Sequence, residues 1–256
     1  MPYPEIMVFD SRCIRCGKCA GICALDAISI GDMRKMDRSR CDLCLKCIPV
    51  CPTGAIKVVG RWLTVDEVMS EVKRDELFYQ NSGGGVTVSG GEPLMQWRFV
   101  LNLLKECRRE AINTVLDTCG YASWKDLSNV LEYVDLCLYD VKQMDPESHR
   151  RVTGKSNRRI IRNLHLTAAR VRTWLRMPLI PGYNDSDENI LKVARLAQES
   201  RVEKVSLLPY HPYGEAKYQQ LGRHDRPGDL VTPSSESVQH ICEIFRNNGI
   251  NATVGY

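Results

Sequence analysis

Eight of the 12 cysteines lie within the first 51 residues, and their spacing is that of a cofactor site. Cys13, Cys16, Cys19 and Cys23 recur 28 positions later as Cys41, Cys44, Cys47 and Cys51. Their neighbours recur as well: Arg12 with Arg40, Lys18 with Lys46, and Ala27-Ile28 with Ala55-Ile56. One small unit has been duplicated, and residues 29–39 read as the hairpin or loop that joins the copies. A Cys-x2-Cys-x2-Cys loop presents three sulfurs to an iron–sulfur cube, and a fourth comes from elsewhere. Zinc knuckles of the Cys-x2-Cys type usually stand further apart. Two [4Fe-4S] clusters are expected. Cys107, Cys119, Cys137 and Cys242 are isolated and read as small buried apolar residues.

The second informative stretch is Ser82-Gly83-Gly84-Gly85-Val86-Thr87-Val88-Ser89-Gly90-Gly91-Glu92-Pro93. Glycines bracketing a short strand let a ligand approach the backbone, and Glu92 can accept hydrogen bonds from an ammonium group. By itself this is weak, because a tight loop with a structural glutamate looks the same. Thr153-Gly154-Lys155-Ser156 imitates the end of a phosphate loop, but the required first glycine falls on His149. That reading fails.

These residues must be held by something, and the chain after Gly60 alternates strand and helix patterns. Strands are predicted at Val86–Val88, Ile112–Leu116, Leu136–Val141, Val171–Met177 and Val205–Leu208. Helices are predicted at Thr64–Tyr79, Pro93–Arg109, Trp124–Tyr133, Asn157–Arg170, Asp185–Glu199 and Ser234–Asn248. Repeated strand–helix units imply an α/β fold with a parallel sheet whose ligands sit at the carboxyl ends of the strands. The expected division is 1–60 for the cysteine domain and 61–256 for the α/β domain.

The composition is ordinary for a globular chain, with 43% hydrophobic and 26% charged residues. The net charge of +4 is spread along the sequence, so no nucleic-acid partner is expected. No apolar run reaches the ~18 residues of a membrane span, and no secretory signal opens the chain. A cytoplasmic location without membrane association is expected, where cysteines bind metal more often than they pair.

The cysteine runs resemble those of two-cluster ferredoxins, in which the fourth cysteine of each run ligates the other cluster. That resemblance assigns Cys13, Cys16, Cys19 and Cys51 to one cluster, and Cys41, Cys44, Cys47 and Cys23 to the second. Cys51-Pro52 ends its run as the pattern expects, whereas Cys23 is followed by Ala24. The rest of the chain resembles the activating enzymes of glycyl-radical enzymes, in the radical S-adenosylmethionine superfamily. The matching stretches are 82–93, Leu116-Asp117-Thr118-Cys119-Gly120-Tyr121 and Tyr139-Asp140-Val141-Lys142-Gln143-Met144-Asp145. They continue with Arg176-Met177-Pro178-Leu179-Ile180-Pro181-Gly182-Tyr183 and Leu207-Leu208-Pro209-Tyr210-His211-Pro212-Tyr213-Gly214. The two-cluster insert looks like that of the extended subgroup of these pyruvate formate-lyase activase-like enzymes, an insert that plain pyruvate formate-lyase activators lack.

The resemblance implies a partial (β/α)6 TIM-like barrel behind a two-[4Fe-4S] ferredoxin-like domain. It implies that Ser89, Gly90, Gly91 and Glu92 hold the amino end of S-adenosylmethionine. Asp140, Val141 and Lys142 would line the cofactor, His211 would contact it from across the barrel, and Arg176 would reach its carboxylate. Asp117, Thr118 and Asp140 would help place a monovalent cation. The implied reaction is reductive cleavage of S-adenosylmethionine to generate a glycyl radical on a partner enzyme. A flavodoxin- or ferredoxin-type protein would donate the electron.

One family feature has no counterpart here. The radical-generating cluster is held by a Cys-x3-Cys-x2-Cys loop after the first barrel strand, and no such triplet occurs in the sequence. Cys19 and Cys23 have the first gap but lead to Asp26; Cys47 and Cys51 lead to Gly54. The first strand and the catalytic loop are therefore expected to be missing, so that no catalytic residue is assigned and activity of this chain alone is in question. A fragment or misplaced start is favoured over a separate polypeptide supplying the piece. The alternative is a non-catalytic iron–sulfur electron-transfer or binding protein on the same scaffold. An unpaired edge at Val86–Val88 would also make the isolated chain prone to association.

Overall fold

The computed structural model describes residues 4–32, 34–223 and 230–255. They fall into two compact units, one drawn from 1–62 with 212–228 and the other from 63–211 with 229–256.

The first unit is closed by β1 (Glu5–Val8) running antiparallel to β4 (Ile56–Val59), with Glu5 opposite Val59. Between them lie α1 (Lys18–Gly21) and the antiparallel hairpin of β2 (Ile28–Ile30) and β3 (Arg34–Met36). Ile6, Ile28 and Ile56 form its buried core together with Cys19 and Cys47. The hairpin lies inside the connecting segment between the two cysteine runs.

The second unit opens with α2 (Val65–Val72), started by a reciprocal cap. Thr64 Oγ1 accepts from Glu67 N at 3.2 Å, and Glu67 Oε2 accepts from Thr64 N at 2.7 Å. Thr64→Ala is expected to cost about 1 kcal/mol, read as a lower urea midpoint with unchanged slope. The single helix predicted over 64–79 is broken. A 3-10 turn at Lys73–Asp75 separates α2 from α3 (Glu76–Ser82). The apolar positions explain the break: after Val65, Val68, Met69 and Val72 the next falls five residues on at Leu77, off the helical stripe. Leu77 is accordingly 72% exposed.

The chain then alternates as expected. It passes through β5 (Gly85–Val88), α4 (Trp97–Arg109), β6 (Asn113–Thr118), α5 (Trp124–Leu131) and β7 (Leu136–Asp140). Next come α6 (Pro146–Thr153), α7 (Arg158–Ala168), β8 (Arg172–Leu179), α8 (Asp187–Ser200) and β9 (Lys204–Pro209). Helix α6 went unpredicted, although its start is written plainly: Asp145 accepts from Ser148 N at 2.8 Å and Pro146 takes the first turn. Its end explains the false phosphate loop, since Gly154 is the left-handed C-cap of this helix.

After β9 the chain departs from the expected division. The helix α9 (Glu215–Gln220) groups with residues 1–62. Arg38 Nη2 donates to the Gln220 carbonyl at 3.3 Å, and Arg223 pairs with Glu5 at 2.6 Å. The α10 helix (Ser235–Asn247) and an unpredicted short strand, β10 (Ala252–Val254), complete the second unit.

All neighbours in the six-stranded sheet, ordered β10-β9-β8-β7-β6-β5, are parallel. β5 is its terminal strand. Leu175, Met177, Leu179, Val205 and Leu207 bury one face against α8 and α10 residues such as Ile190, Val193 and Phe245. Among the described residues, no helix is long and apolar enough to cross a membrane.

Candidate active site and cysteine cavities

In the first unit the duplication extends to the backbone. Arg15 and Leu43 both have positive φ, as do Gly17 and Leu45, and Asp26 and Gly54. Each pair is 28 residues apart. The hydrogen bonds repeat at the same offset: Cys23 N to Ala20 O and Cys51 N to Ile48 O, both at 3.1 Å. Left-handed backbone at Arg15, Leu43 and Leu45 costs about 1–2 kcal/mol per residue. Such strain persists where the surroundings enforce it, and a ligand-wrapping loop does so.

The two loops enclose two cavities, and the cysteines divide between them in a crossed pattern. One cavity is lined by Cys13, Cys16, Cys19 and Cys51, the other by Cys23, Cys41, Cys44 and Cys47. Among the described residues, no group of three or more Cys, His, Asp or Glu side chains is placed to hold a single metal ion. A cube takes one thiolate on each of its four irons, and each cavity has four cysteines in its lining. Burial pushes the Cys19 and Cys47 thiols up, opposed at Cys19 by the Arg34 charge. At Cys51 burial also raises the thiol, but hydrogen bonding to Thr53 and backbone amides outweighs it. Arg34, which the spacing argument did not find, lines the first cavity.

In the second unit the expected cofactor residues gather at the carboxyl ends of consecutive parallel strands. Ser89 follows β5, Asp117 and Thr118 end β6, and Asp140 ends β7. Register sets Asp140 directly opposite Arg176 on β8. The Arg176 guanidinium then bridges two carboxylates, with Nη1 3.0 Å from Asp117 Oδ2 and Nε 3.1 Å from Asp140 Oδ1. Ser89 Oγ donates to Asp117 Oδ2 at 2.8 Å, and Lys142 Nζ sits 3.2 Å from Asp140 Oδ2. Val141, between Asp140 and Lys142, is fully buried.

Glu92 ties the end of β5 to the end of β6. It accepts from Thr118 Oγ1 at 2.6 Å, Cys119 N at 2.9 Å and Leu94 N at 3.1 Å. Burial, and then this carboxylate, push the Cys119 thiol up to about 12, so it is neutral at pH 7. Gly90 adopts φ +137, a conformation open to glycine, and nothing lies within 4 Å of where a Cβ would point at Gly90 or Gly91. The turn is therefore bare backbone beside a carboxylate, which fits close approach of a ligand.

Asp117, Thr118 and Asp140, the residues implied for a monovalent cation, are brought together at the ends of two adjacent strands. Arg176 stands between the two carboxylates, and the Thr118 hydroxyl is directed at Glu92. His211 lies two residues beyond the end of β9 and is exposed. Three carboxylates, Glu92, Asp117 and Asp140, thus face two cations, Arg176 and Lys142. The excess negative charge complements a ligand that carries a sulfonium and an ammonium against one carboxylate.

Beside this group is a cavity of about 230 Å³ whose walls include Glu92, Asp140 and Lys142. Met95, Tyr121, His149 and Lys155 also line it, and none of them was anticipated from the sequence. His149 is buried, with Nδ1 2.6 Å from the Lys155 carbonyl, so that nitrogen carries the proton. The signal that could have placed it is the Asp145-Pro146 helix start one turn earlier.

Comparison with known proteins agrees with both halves of this picture. The profile of the radical SAM superfamily matches residues 49–194, and that of a 4Fe-4S dicluster domain matches residues 12–57. The chain is 44% identical over 236 residues to an isethionate sulfite-lyase activating enzyme of Oleidesulfovibrio alaskensis, covering 89% of this chain and 76% of that protein. It is 38% identical to a (2S)-3-sulfopropanediol dehydratase activating enzyme of Klebsiella oxytoca, covering 100% of this chain and 84% of the relative. Among solved structures, a domain of a pyruvate-formate lyase-activating enzyme from Bacteroides vulgatus superposes with TM-score 0.58 at 31% identity. That match covers 68% of this chain and 99% of the other.

Proposed function

Because this chain belongs to the radical SAM superfamily and, within it, to the activating enzymes of glycyl-radical enzymes, we propose that its strand-end residues bind S-adenosylmethionine for radical transfer to a partner enzyme. The observation that carries the proposal is the group Glu92, Asp117, Asp140, Lys142 and Arg176 gathered at the ends of four adjacent parallel strands. When bound and reduced by one electron, S-adenosylmethionine yields methionine and a 5′-deoxyadenosyl radical that removes a hydrogen atom from a glycine of the partner.

The chain's own residues supply binding, orientation and shelter from water. Ser89, Gly90, Gly91 and Glu92 would receive the ammonium end, Glu92 being already fixed by three donors. Arg176 would turn from its aspartates toward the ligand carboxylate. Asp140, Val141 and Lys142 would flank the ligand, and His211 would contact it from the end of β9. We assign the first 60 residues as the cluster-bearing domain and 61–256, apart from the segment at 212–228, as the barrel. The eight paired-run cysteines would hold two [4Fe-4S] clusters in the crossed sets of the two cavities. A flavodoxin- or ferredoxin-type donor in the cytoplasm would feed them.

Relatives of comparable identity are named for a sulfite-lyase, a hydroxyproline dehydratase and an indoleacetate decarboxylase. The shared part is thus the radical chemistry, with the partner chosen elsewhere. Anaerobically reconstituted protein is expected to carry about eight irons and eight acid-labile sulfides. Cys16→Ala and Cys44→Ala should each lose about four of both. S-adenosylmethionine should bind by equilibrium dialysis, and Glu92→Gln should weaken it about tenfold. Full iron content with no S-adenosylmethionine binding would sink the proposal.

A second reading is a non-catalytic iron–sulfur electron-transfer or binding protein on the same scaffold. Formation of 5′-deoxyadenosine under reducing conditions separates the two, since only the activating enzyme produces it.

A further inference from the structure

Strand β3 opens on Arg34, whose side chain is 1% exposed and lines the cavity of Cys13, Cys16, Cys19 and Cys51. One end of its guanidinium is accounted for. Nη2 donates to the Ala55 carbonyl at 3.3 Å and to Asp10 Oδ1 at 3.4 Å. The Nε–H is not: among the described residues, it is buried and has no acceptor.

A buried donor left unmatched costs about 1–3 kcal/mol, and more when it belongs to a charged group. Asp10 does little to offset the charge, because it is 61% exposed and stands at a long 3.4 Å. A fully buried cation with a spare N–H therefore faces a cavity walled by four thiols. Hydrogen-bond donors and nearby charge are among the levers that set the potential of an iron–sulfur cluster.

Among the described residues, the second cavity has no buried arginine in its lining. Its charged lining residues are Asp42 and Lys46, of opposite sign and both exposed. The position 28 residues after Arg34 is Trp62, so the duplication did not copy the arginine. Exposed charges on the first loop, Arg12, Arg15 and Lys18, act in the same direction but are screened by solvent. Arg34 is not screened.

We infer that Arg34 is a positioning residue for the cluster of Cys13, Cys16, Cys19 and Cys51, donating its Nε–H to that cluster and stabilising its reduced form. The duplicated sites then carry unequal potentials, the first higher than it would be without Arg34. The inference rests on the two-cluster reading above.

The test is a redox titration of the full, cluster-loaded chain under anaerobic conditions, followed by electron paramagnetic resonance. The native protein shows two one-electron waves. Arg34→Gln moves one wave to lower potential by about tenfold in the reduction constant, about 59 mV for a one-electron couple, and leaves the other in place. The moving wave is the one missing from Cys16→Ala. Asp10→Asn, which removes the opposing charge at an exposed site, moves the same wave upward by a smaller amount. Retained iron with no shift in Arg34→Gln, or equal shifts of both waves, overturns the inference and leaves the two-cluster reading standing. If Arg34→Gln loses its iron, Arg34→Lys decides, since it keeps the charge and removes the Nε–H, and a wave there at the native potential overturns the donated hydrogen bond. A native protein holding only about four irons removes the two-cluster reading itself, and the inference with it.

Discussion

Arg176→Met should cost the second unit about 3 kcal/mol of folding free energy. The methionine keeps much of the volume, so the loss is electrostatic. Asp117 and Asp140 are each 16% exposed, and Arg176 at 11% is the cation that meets both. Removing one partner of a buried ion pair typically costs about 3–5 kcal/mol, because the remaining charge is left without compensation. Here, among the described residues, Asp117 would be left without a cation while Asp140 keeps Lys142 at 3.2 Å, and both carboxylates retain some access to water, which places the figure at the lower end. Two further measurements separate this cause from simple loss of packing. Added salt should recover part of the loss, since it screens the repulsion between the aspartates. Asp117→Asn in the Arg176→Met background should recover more. Arg176→Lys should behave nearly as badly as methionine, because one ammonium cannot span two carboxylates through separate nitrogens. Urea denaturation gives all four values; a loss below about 0.5 kcal/mol would mean the pairs are worth no more than surface ones.

How much of this was legible beforehand follows from which interactions are local. The cysteine spacing is local, so the two runs and their duplication could be read directly from the sequence, whereas the crossed grouping came from the resemblance to two-cluster ferredoxins. Helices α4, α8 and α10 carry long apolar stripes and appear within a few residues of their predicted bounds. Short elements do not announce themselves. The three residues of β10 form a strand only because β9 is beside them, with Ala252 opposite Val205. Helix α9 has no signal for the unit it joins, since Arg38 lies 182 positions from Gln220. The same limit applies to the site. Each residue of the group could be named from its motif, but the bridge from Arg176 to Asp117 spans 59 positions and exists because three strands are in register. Arg34 was invisible for a different reason. Its importance is an unmatched donor, and only a folded chain reveals which donors go unmatched.

Gly120→Ala should cost the second unit about 2–5 kcal/mol for a single methyl group. Two costs combine. Gly120 has φ +65, where a Cβ costs about 1–2 kcal/mol. The added carbon would also overlap the Tyr139 side chain, and overpacking a core costs about 1–3 kcal/mol. Tyr139 cannot step aside cheaply. It is fully buried, and its hydroxyl donates to the Ile160 carbonyl at 2.7 Å. Nor can the glycine, whose carbonyl accepts from Asn163 at 2.9 Å and whose N–H donates to Thr118 Oγ1 at 2.9 Å. The protein contains its own control. Gly154 has φ +76 with nothing within 4 Å of the same position, so Gly154→Ala should show the backbone cost alone. The difference between the two variants isolates the clash. Tyr139→Phe removes the oxygen nearest the new methyl, so the double variant should lose about 1 kcal/mol less than the sum of the singles. Strict additivity would mean that the methyl and the ring do not meet, and that backbone strain carries the whole effect. Because Tyr139 directly precedes Asp140, a displaced ring should also weaken S-adenosylmethionine binding in Gly120→Ala, while Gly154→Ala binds as the native protein does.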